Sequence, residues 1–384
     1  MSPRTGKRAP VLMTEEGGRG GVADYVQGLA PALARLGQPV ELVTASDHLF
    51  PPTRGVTILP FFHYLRGSSP GRRLLRRVGL GRVLNGLRFL FTYARCVPLA
   101  RRCRLVHMHG SEWPPLQILA MCMFRAVGAA VIHSLQTTFD RDAPRMRALP
   151  VFEALATRTI VHTRADLSGL SRPERAVVIP FGEYGDVARS GGRFDRESAR
   201  RHLNLDPDAP VTLLFGQLRA DKGIRDVLLA AREVPALRVV IAGEDAGGLH
   251  AASDLLNELG GRIIVLEGFQ PMDEVAKLFA AADTVVLPYR QASQSAVLLL
   301  AYGFERPVIV YPTGGLPEAV TDGETGWICT GPDPGALTAG LREAIDAGPA
   351  ECRRRGENGA RLAKERYSWD GIARRTVELY DEVT

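Results

Sequence analysis

The sequence predicts an α/β protein of two Rossmann-like, doubly wound parallel-sheet domains. Three observations carry this expectation. The chain has 384 residues, too many for one ordinary core and suited to about two domains. Short β-branched runs alternate with stretches of helical period, the pattern of parallel strands joined by crossover helices. The alternation stops at a polar segment, 183–208, and then begins afresh.

The elements follow in order. Residues 11–14 form a short apolar strand and 15–21 a Gly-rich turn. Val22, Tyr25, Val26, Leu29, Leu33 and Leu36 then recur at helical spacing, with Gly37 as a C-cap. Strands are predicted at 40–44, 56–59, 105–108, 129–135, 159–161 and 177–179. The segment 183–208 contains Gly191-Gly192 and Asp206-Pro207 and is expected to be a linker carrying a short helix over 197–203. Further strands are expected at 211–215, 239–242, 263–266, 284–287 and 308–310. Asp333-Pro334 reads as an N-cap followed by Pro at the first helical position. An amphipathic helix over 369–383 ends the sequence. The domains are therefore expected at 1–182 and 209–367. Sheets facing each other would bring the carboxyl ends of their strands to a shared crevice, where such folds bind ligands.

Composition excludes several classes. Hydrophobic residues make up 45%, and no run reaches the roughly 18–20 apolar residues that span a bilayer. The polar, Gly-rich stretch 14–21 is unlike a secretory signal, so a cytoplasmic protein is expected. Five cysteines without a Cys-x-x-Cys pair read as reduced thiols. The net charge is +6, and only four of the 48 basic residues are lysine. That skew fits a GC-rich coding bias and makes a lysine in a special loop more noticeable. The stretch 66–104 mixes arginine with Leu, Val and Phe. It reads either as a solvated face or as a helix lying peripherally on an anionic inner-membrane surface, and the solvated face carries the greater weight. No aromatic-studded motif points to nucleic acid.

Four constellations carry possible chemistry. Residues 215–223, FGQLRADKG, follow a strand and precede a helix. Gly216 permits a sharp turn, and Arg219 and Lys222 are close enough to reach one anion, a planar fork beside a point charge. Residues 289–307 place Ser293, Gln294 and Ser295 where a buried helix begins, which is either an anion site or ordinary Ser capping. Gly17-Gly18-Arg19-Gly20-Gly21 precedes a helix without being a dinucleotide fingerprint. Residues 311–326 carry Gly314-Gly315 and Glu318, a helix cap or a ligand contact. His107 and His109 share one strand face, but no third metal ligand accompanies them. Together with His133 they read as structural.

Taken together, these motifs resemble the family 4 glycosyltransferases, retaining enzymes of GT-B fold. The resemblance spans nearly the whole chain and is strongest over 213–327. It implies two Rossmann-like domains facing across a cleft, with the final segment, 368–384, crossing back to the N-terminal domain. It implies a nucleotide-diphosphate sugar donor held mainly by the C-terminal domain, an unidentified hydroxyl acceptor held by the N-terminal domain, and neither metal nor other cofactor. Arg219, Lys222 and Gln136 are the implied catalytic positions. Gly20, Gly21, Gly216, Gly243, Ser293, Gln294, Ser295, Ala296, Val297 and Glu318 are the implied donor contacts. The front-side mechanism proposed for such enzymes gives the acceptor proton to the leaving phosphate, so catalysis rests on stabilising departing negative charge.

This chain departs from the family pattern. Ala292 and Leu300 stand where two glutamates are usual, Gln136 where a histidine is usual, and Gln217 where an arginine is usual. The chain looks close to a branch marked by Ser-Gln-Ser-Gly-Val, with Ala296 at the glycine. Two alternatives therefore accompany an active transferase: a catalytically silent GT-B scaffold, and a pseudo-glycosyltransferase that couples a nucleotide-activated cyclitol.

Overall fold

The computed structural model describes residues 8–63, 80–110, 113–135 and 147–384. Contacts divide the chain into two compact units. The first extends to Gly182 and takes in Trp369–Thr384, and the second is Glu183–Ser368.

The first unit contains strands β1 (Val11–Glu15), β2 (Val40–Ala45), β3 (Val56–Phe62), β4 (Leu105–His109), β5 (Ala130–Ser134), β6 (Arg158–Val161) and β7 (Ala176–Val178). Its helices are α1 (Gly21–Arg35), α2 (Leu80–Cys103), α3 (Pro114–Ala126) and α4 (Leu149–Leu155), with the carboxyl-terminal helix described below. The strands form one parallel sheet in the order β3-β2-β1-β4-β5-β6-β7. Every residue of β1 and β4 is buried, as expected where helices cover both faces of a parallel sheet. The order reverses between β1 and β4, and the Gly-rich turn leaves the sheet at that point.

The second unit opens with helices α5 (Gly185–Ser190) and α6 (Arg196–His202). Strands β8 (Val211–Phe215), β9 (Arg238–Gly243), β10 (Ile263–Glu267), β11 (Thr284–Leu287), β12 (Val308–Val310) and β13 (Gly326–Ile328) then alternate with α7 (Ile224–Glu233), α8 (Ser253–Leu259), α9 (Met272–Ala281) and α10 (Ala296–Gly303). Helix α11 (Pro334–Arg366) closes the unit and is interrupted at Gly348. The parallel sheet runs β10-β9-β8-β11-β12-β13, so the reversal lies between β8 and β11. Strand β13 is an addition to the strands read from the sequence.

The segment 183–208 falls within the second unit, with α5 packed on α9 and α10 and α6 on α9. Arg200 holds it there. That side chain is 1% exposed and donates to the carbonyls of Ala281 (3.0 Å), Pro207 (2.7 Å) and Ala209 (2.8 Å), and to Asp283 (2.8 Å). Asp283 also accepts from the Val211 amide at 2.8 Å. One buried guanidinium thereby ties the entry segment to the start of β8.

The last helix, α12 (Trp369–Val383), packs against α1 of the first unit. Trp369 fills the space left by two glycines. A Cβ on Gly28 or on Gly182 would lie 2.1 Å from its ring. Arg35 pairs with Asp370 at 2.6 Å, and Arg375 donates to the Val178 carbonyl at 2.5 Å.

Removing Arg200 leaves three carbonyls without this donor and Asp283 paired with Arg196 alone, at 3.2 Å; breaking a buried pair costs about 3–5 kcal/mol. Arg200→Ala is therefore expected to lower unfolding stability by about that much, read from the urea midpoint and slope. A loss below about 1 kcal/mol, the scale of a surface pair, would contradict the assigned role.

Candidate functional site

The switch point of the second sheet is built by close backbone approach. Gly243 ends β9 at φ 143°, and a Cβ there would sit 1.8 Å from the carbonyl oxygen of Gly216. Gly216 itself has φ 112° and donates to the Ala242 carbonyl at 3.0 Å. The loop after β8 is then folded back on β9. Buried Leu218 donates to the Glu244 carbonyl at 2.8 Å and accepts from the amides of Ala246 and Gly248. At its far end Gly223 is left-handed, and a Cβ there would lie 2.1 Å from the Pro288 carbonyl oxygen.

These constraints seat residues 217–222 against the segment after β11. The Arg290 amide donates to the Asp221 carbonyl at 2.9 Å. Lys222 places its ammonium 3.6 Å from the centre of the Tyr289 ring, a cation–π contact. Lys222 has no carboxylate within ion-pair distance among the described residues. Desolvation and the Arg219 charge push its pKa down to about 8, against a smaller opposing pull from Asp221.

Arg219 behaves differently from the sequence expectation of two cations turned to one anion. It makes a bidentate pair with Asp221, at 2.8 and 2.7 Å. That pairing, chiefly its hydrogen bonds, holds the Asp221 carboxyl below its usual range. Lys222 is thus the cation of this loop that no carboxylate neutralises. Asp221 is the member of the loop that sequence reasoning missed, although its position two residues after Arg219 in a tight turn was a usable signal.

Helix α10 begins beside the loop. Ser295 is its N-cap and accepts from the Leu298 amide at 3.3 Å. Val297 approaches Gly216, whose added Cβ would lie 3.3 Å from Val297 Cγ2. The Ser293 carbonyl accepts from the Gly315 amide at 2.9 Å, drawing in the short 3-10 helix Leu316–Ala319 that carries Glu318. Gly216, Lys222, Gly243, Ser293, Gln294, Ser295, Ala296, Val297 and Glu318 therefore belong to one neighbourhood, with Arg219 on its rim. The Gln294 Oε1 atom is buried and receives no hydrogen bond among the described residues. Burying a polar group without a partner costs about 1–3 kcal/mol. Ala292 and Leu300 are buried at 9% and 8% exposure. They line the same segment with apolar surface.

In the first unit Gly20 has φ 86°, and the space where a Cβ would stand is open at both Gly20 and Gly21, the start of α1. Glu15, at the end of β1, shapes this loop. Its carboxylate accepts from the amides of Gly17 and Gly18, at 2.8 and 2.7 Å, and from Thr44 at 2.9 Å. Gln136 lies outside the described residues, as does the part of the basic stretch 66–104 that precedes Leu80.

The histidines at the ends of β4 and β5 form part of a buried cluster. The His107 and His109 rings are 4.0 Å apart. His107 bonds the Tyr380 hydroxyl at 2.6 Å and Ser134 at 2.7 Å. Neither ring nitrogen of His109 has a partner among the described residues. His162, which was not singled out in the sequence, joins through Tyr25, with ring centres 4.9 Å apart.

Two family models match the chain: "Glycosyl transferase 4-like domain" over residues 20–182 and "Glycosyl transferases group 1" over 195–362. A D-inositol 3-phosphate glycosyltransferase of Actinosynnema mirum is 30% identical across 97% of this chain and 95% of its own length. The chain belongs to the family 4 glycosyltransferases. The protein of the same name from Mycobacterium sp. (strain KMS) is 31% identical, but that alignment spans 59% of this chain and 54% of that protein. In fold, this glycosyltransferase is similar to sucrose-phosphate synthase from Thermosynechococcus elongatus, with TM-score 0.75 and 21% identity over 98% of this chain and 99% of that one. Anabaena Alr3699/HepE, solved with UDP-glucose, gives 0.73 and 17% over 98% and 100%. The fold is thus GT-B, two Rossmann-like domains. No helix among the described residues is long and apolar enough to cross a membrane.

Burial lowers the pKa of all four histidines, to about 3 for His107. His107 and His109, the most strongly shifted, stay neutral when folded and take up protons near 6.5 when unfolded. Their stabilising contribution is therefore present above pH 6.5 and lost as pH falls below it, by up to about 1.4 kcal/mol per pH unit for each of these two. The urea midpoint is expected to drop steeply from pH 7.5 to 5.5, and His109→Phe is expected to flatten that slope. An unchanged slope in the variant would contradict the assignment.

Proposed function

We propose that this enzyme transfers a glycosyl group from a nucleotide-diphosphate sugar to a hydroxyl acceptor, with retained configuration and without a divalent metal. The observation that carries this is the un-neutralised Lys222 ammonium beside the amino end of α10, at the switch point where such sheets take phosphorylated ligands. A diphosphate seated there meets a point charge and the free amides of the first helical turn, including those of Ala296 and Val297. Both strengthen as the leaving phosphate gains charge, which is the requirement for lowering the barrier. Arg219 contributes only to the extent that the diphosphate competes with Asp221 for it. Gln294 Oε1 is the acceptor for a donor hydroxyl, a contact of the kind that Ala292 and Leu300 cannot make. Relatives named for D-inositol 3-phosphate make that cyclitol phosphate the first soluble acceptor to test.

A panel of UDP-, GDP- and dTDP-sugars is expected to raise the melting temperature with at least one donor, equally well in EDTA. Product mass then separates a transferred sugar from a coupled cyclitol. Lys222→Ala is expected to keep the fold and lose roughly 100-fold or more in kcat/KM. Because the Lys222 pKa is lowered to about 8, nucleoside-diphosphate affinity should hold below that pH and decline as pH rises through it. Absence of a shift with every nucleotide, or a Lys222→Ala enzyme of unchanged kcat/KM, would overturn the proposal.

A further inference from the structure

Helix α2 exposes an apolar stripe to solvent. Val83, Leu87 and Phe91 recur at i, i+4 and i+8, so they align along one side of the helix. Their exposures are 58%, 60% and 65%. The opposite side is core: Phe89, Tyr93, Cys96 and Ala100 are buried against β1, β3 and β4. The helix is anchored from Phe89 to Cys103, so the exposure of Phe91 within that stretch does not arise from loose packing.

The charged residues of α2 itself are all arginine. Arg88, Arg95, Arg101 and Arg102 are exposed, and α2 contains no Asp or Glu. Arg102 pairs with Glu41, and Arg95 stacks on the Phe61 ring at 4.0 Å. Arg88, Arg95 and Arg101 have no carboxylate partner among the described residues. Large apolar side chains in a row, bordered by unpaired guanidinium groups, are the features of a helix that lies in a bilayer interface: tips among the acyl chains, cations among anionic headgroups.

We infer that α2 docks the first unit on an anionic lipid surface, inserting Val83, Leu87 and Phe91. A second copy of the chain fits the same face less well. A two-fold contact would set each guanidinium row against its own equivalent, and three side chains cannot supply the roughly 800 Å² per partner of a stable interface. The inference uses none of the residues of the nucleotide site, so it stands or falls separately from the proposed reaction.

The test is co-sedimentation of the full chain with vesicles of phosphatidylcholine alone, or with about one third phosphatidylglycerol, at low and high salt. Binding is expected only to the anionic vesicles and to weaken with salt. Leu87→Glu combined with Phe91→Glu should abolish it, with the melting temperature and the nucleotide-induced thermal shift unchanged. Arg88→Gln with Arg95→Gln, which leaves the stripe intact, should lower the partition coefficient roughly 30-fold. Equal binding to both vesicles, binding that survives Leu87→Glu/Phe91→Glu, or no binding by the wild-type chain would overturn the inference. So would a concentration-dependent dimer in sedimentation velocity that those substitutions dissolve.

Discussion

At the carboxyl end of the second sheet, the backbones of Gly216 and Gly243 approach until no side chain fits between them; a Cβ on Gly243 would sit 1.8 Å from the Gly216 oxygen. The loop that follows β8 must therefore fold over β9, and Leu218 is buried beneath it. Gly223 meets a second limit of the same kind against Pro288. Between these fixed ends Lys222 is delivered to the Tyr289 ring and to the start of α10. The placement of charge in the candidate site is thus a consequence of glycine at three positions, each in a backbone conformation that a side chain resists.

The electrostatics of the loop separate its two cations. Arg219 carries its own counterion in Asp221, whereas Lys222 faces an aromatic ring and desolvation, which together favour an incoming anion over bulk solvent. The amide-rich start of α10 acts in the same direction. Around this polar centre the segment carrying Ala292 and Leu300 is apolar, and Gln294 Oε1 is buried without a hydrogen-bond partner among the described residues. Such an arrangement suits the proposed diphosphate and offers few polar contacts for the remainder of a ligand.

The strands were legible because their apolar runs are the buried interior of parallel sheets; their ends fell within a residue of the observed ones except at β3, which runs to Phe62 rather than to residue 59. The tight turn after β8 was legible from its glycines at a strand-to-helix junction. Other features depend on partners distant in sequence. Arg200 reads as a surface residue in an arginine-rich chain, yet its partners, Asp283 above all, make it the staple that turns 183–208 into part of the second unit. The three residues of β13 are too few to show a period. His162 enters its cluster only because β6 lies beside β5. The Arg219–Asp221 pair is local, but the choice between a bidentate partner and an open cation depends on backbone geometry that spacing does not specify.

Lys222 and the amino end of α10 are proposed to bind a diphosphate together. The most direct measurement is a crystal structure of the full chain with a bound nucleoside diphosphate, grown with a chelator present. The account predicts phosphate oxygens within about 3 Å of Lys222 Nζ and of the Ala296 or Val297 amide. A diphosphate bound elsewhere, or held at this place through a retained metal ion with Lys222 turned away, would contradict it.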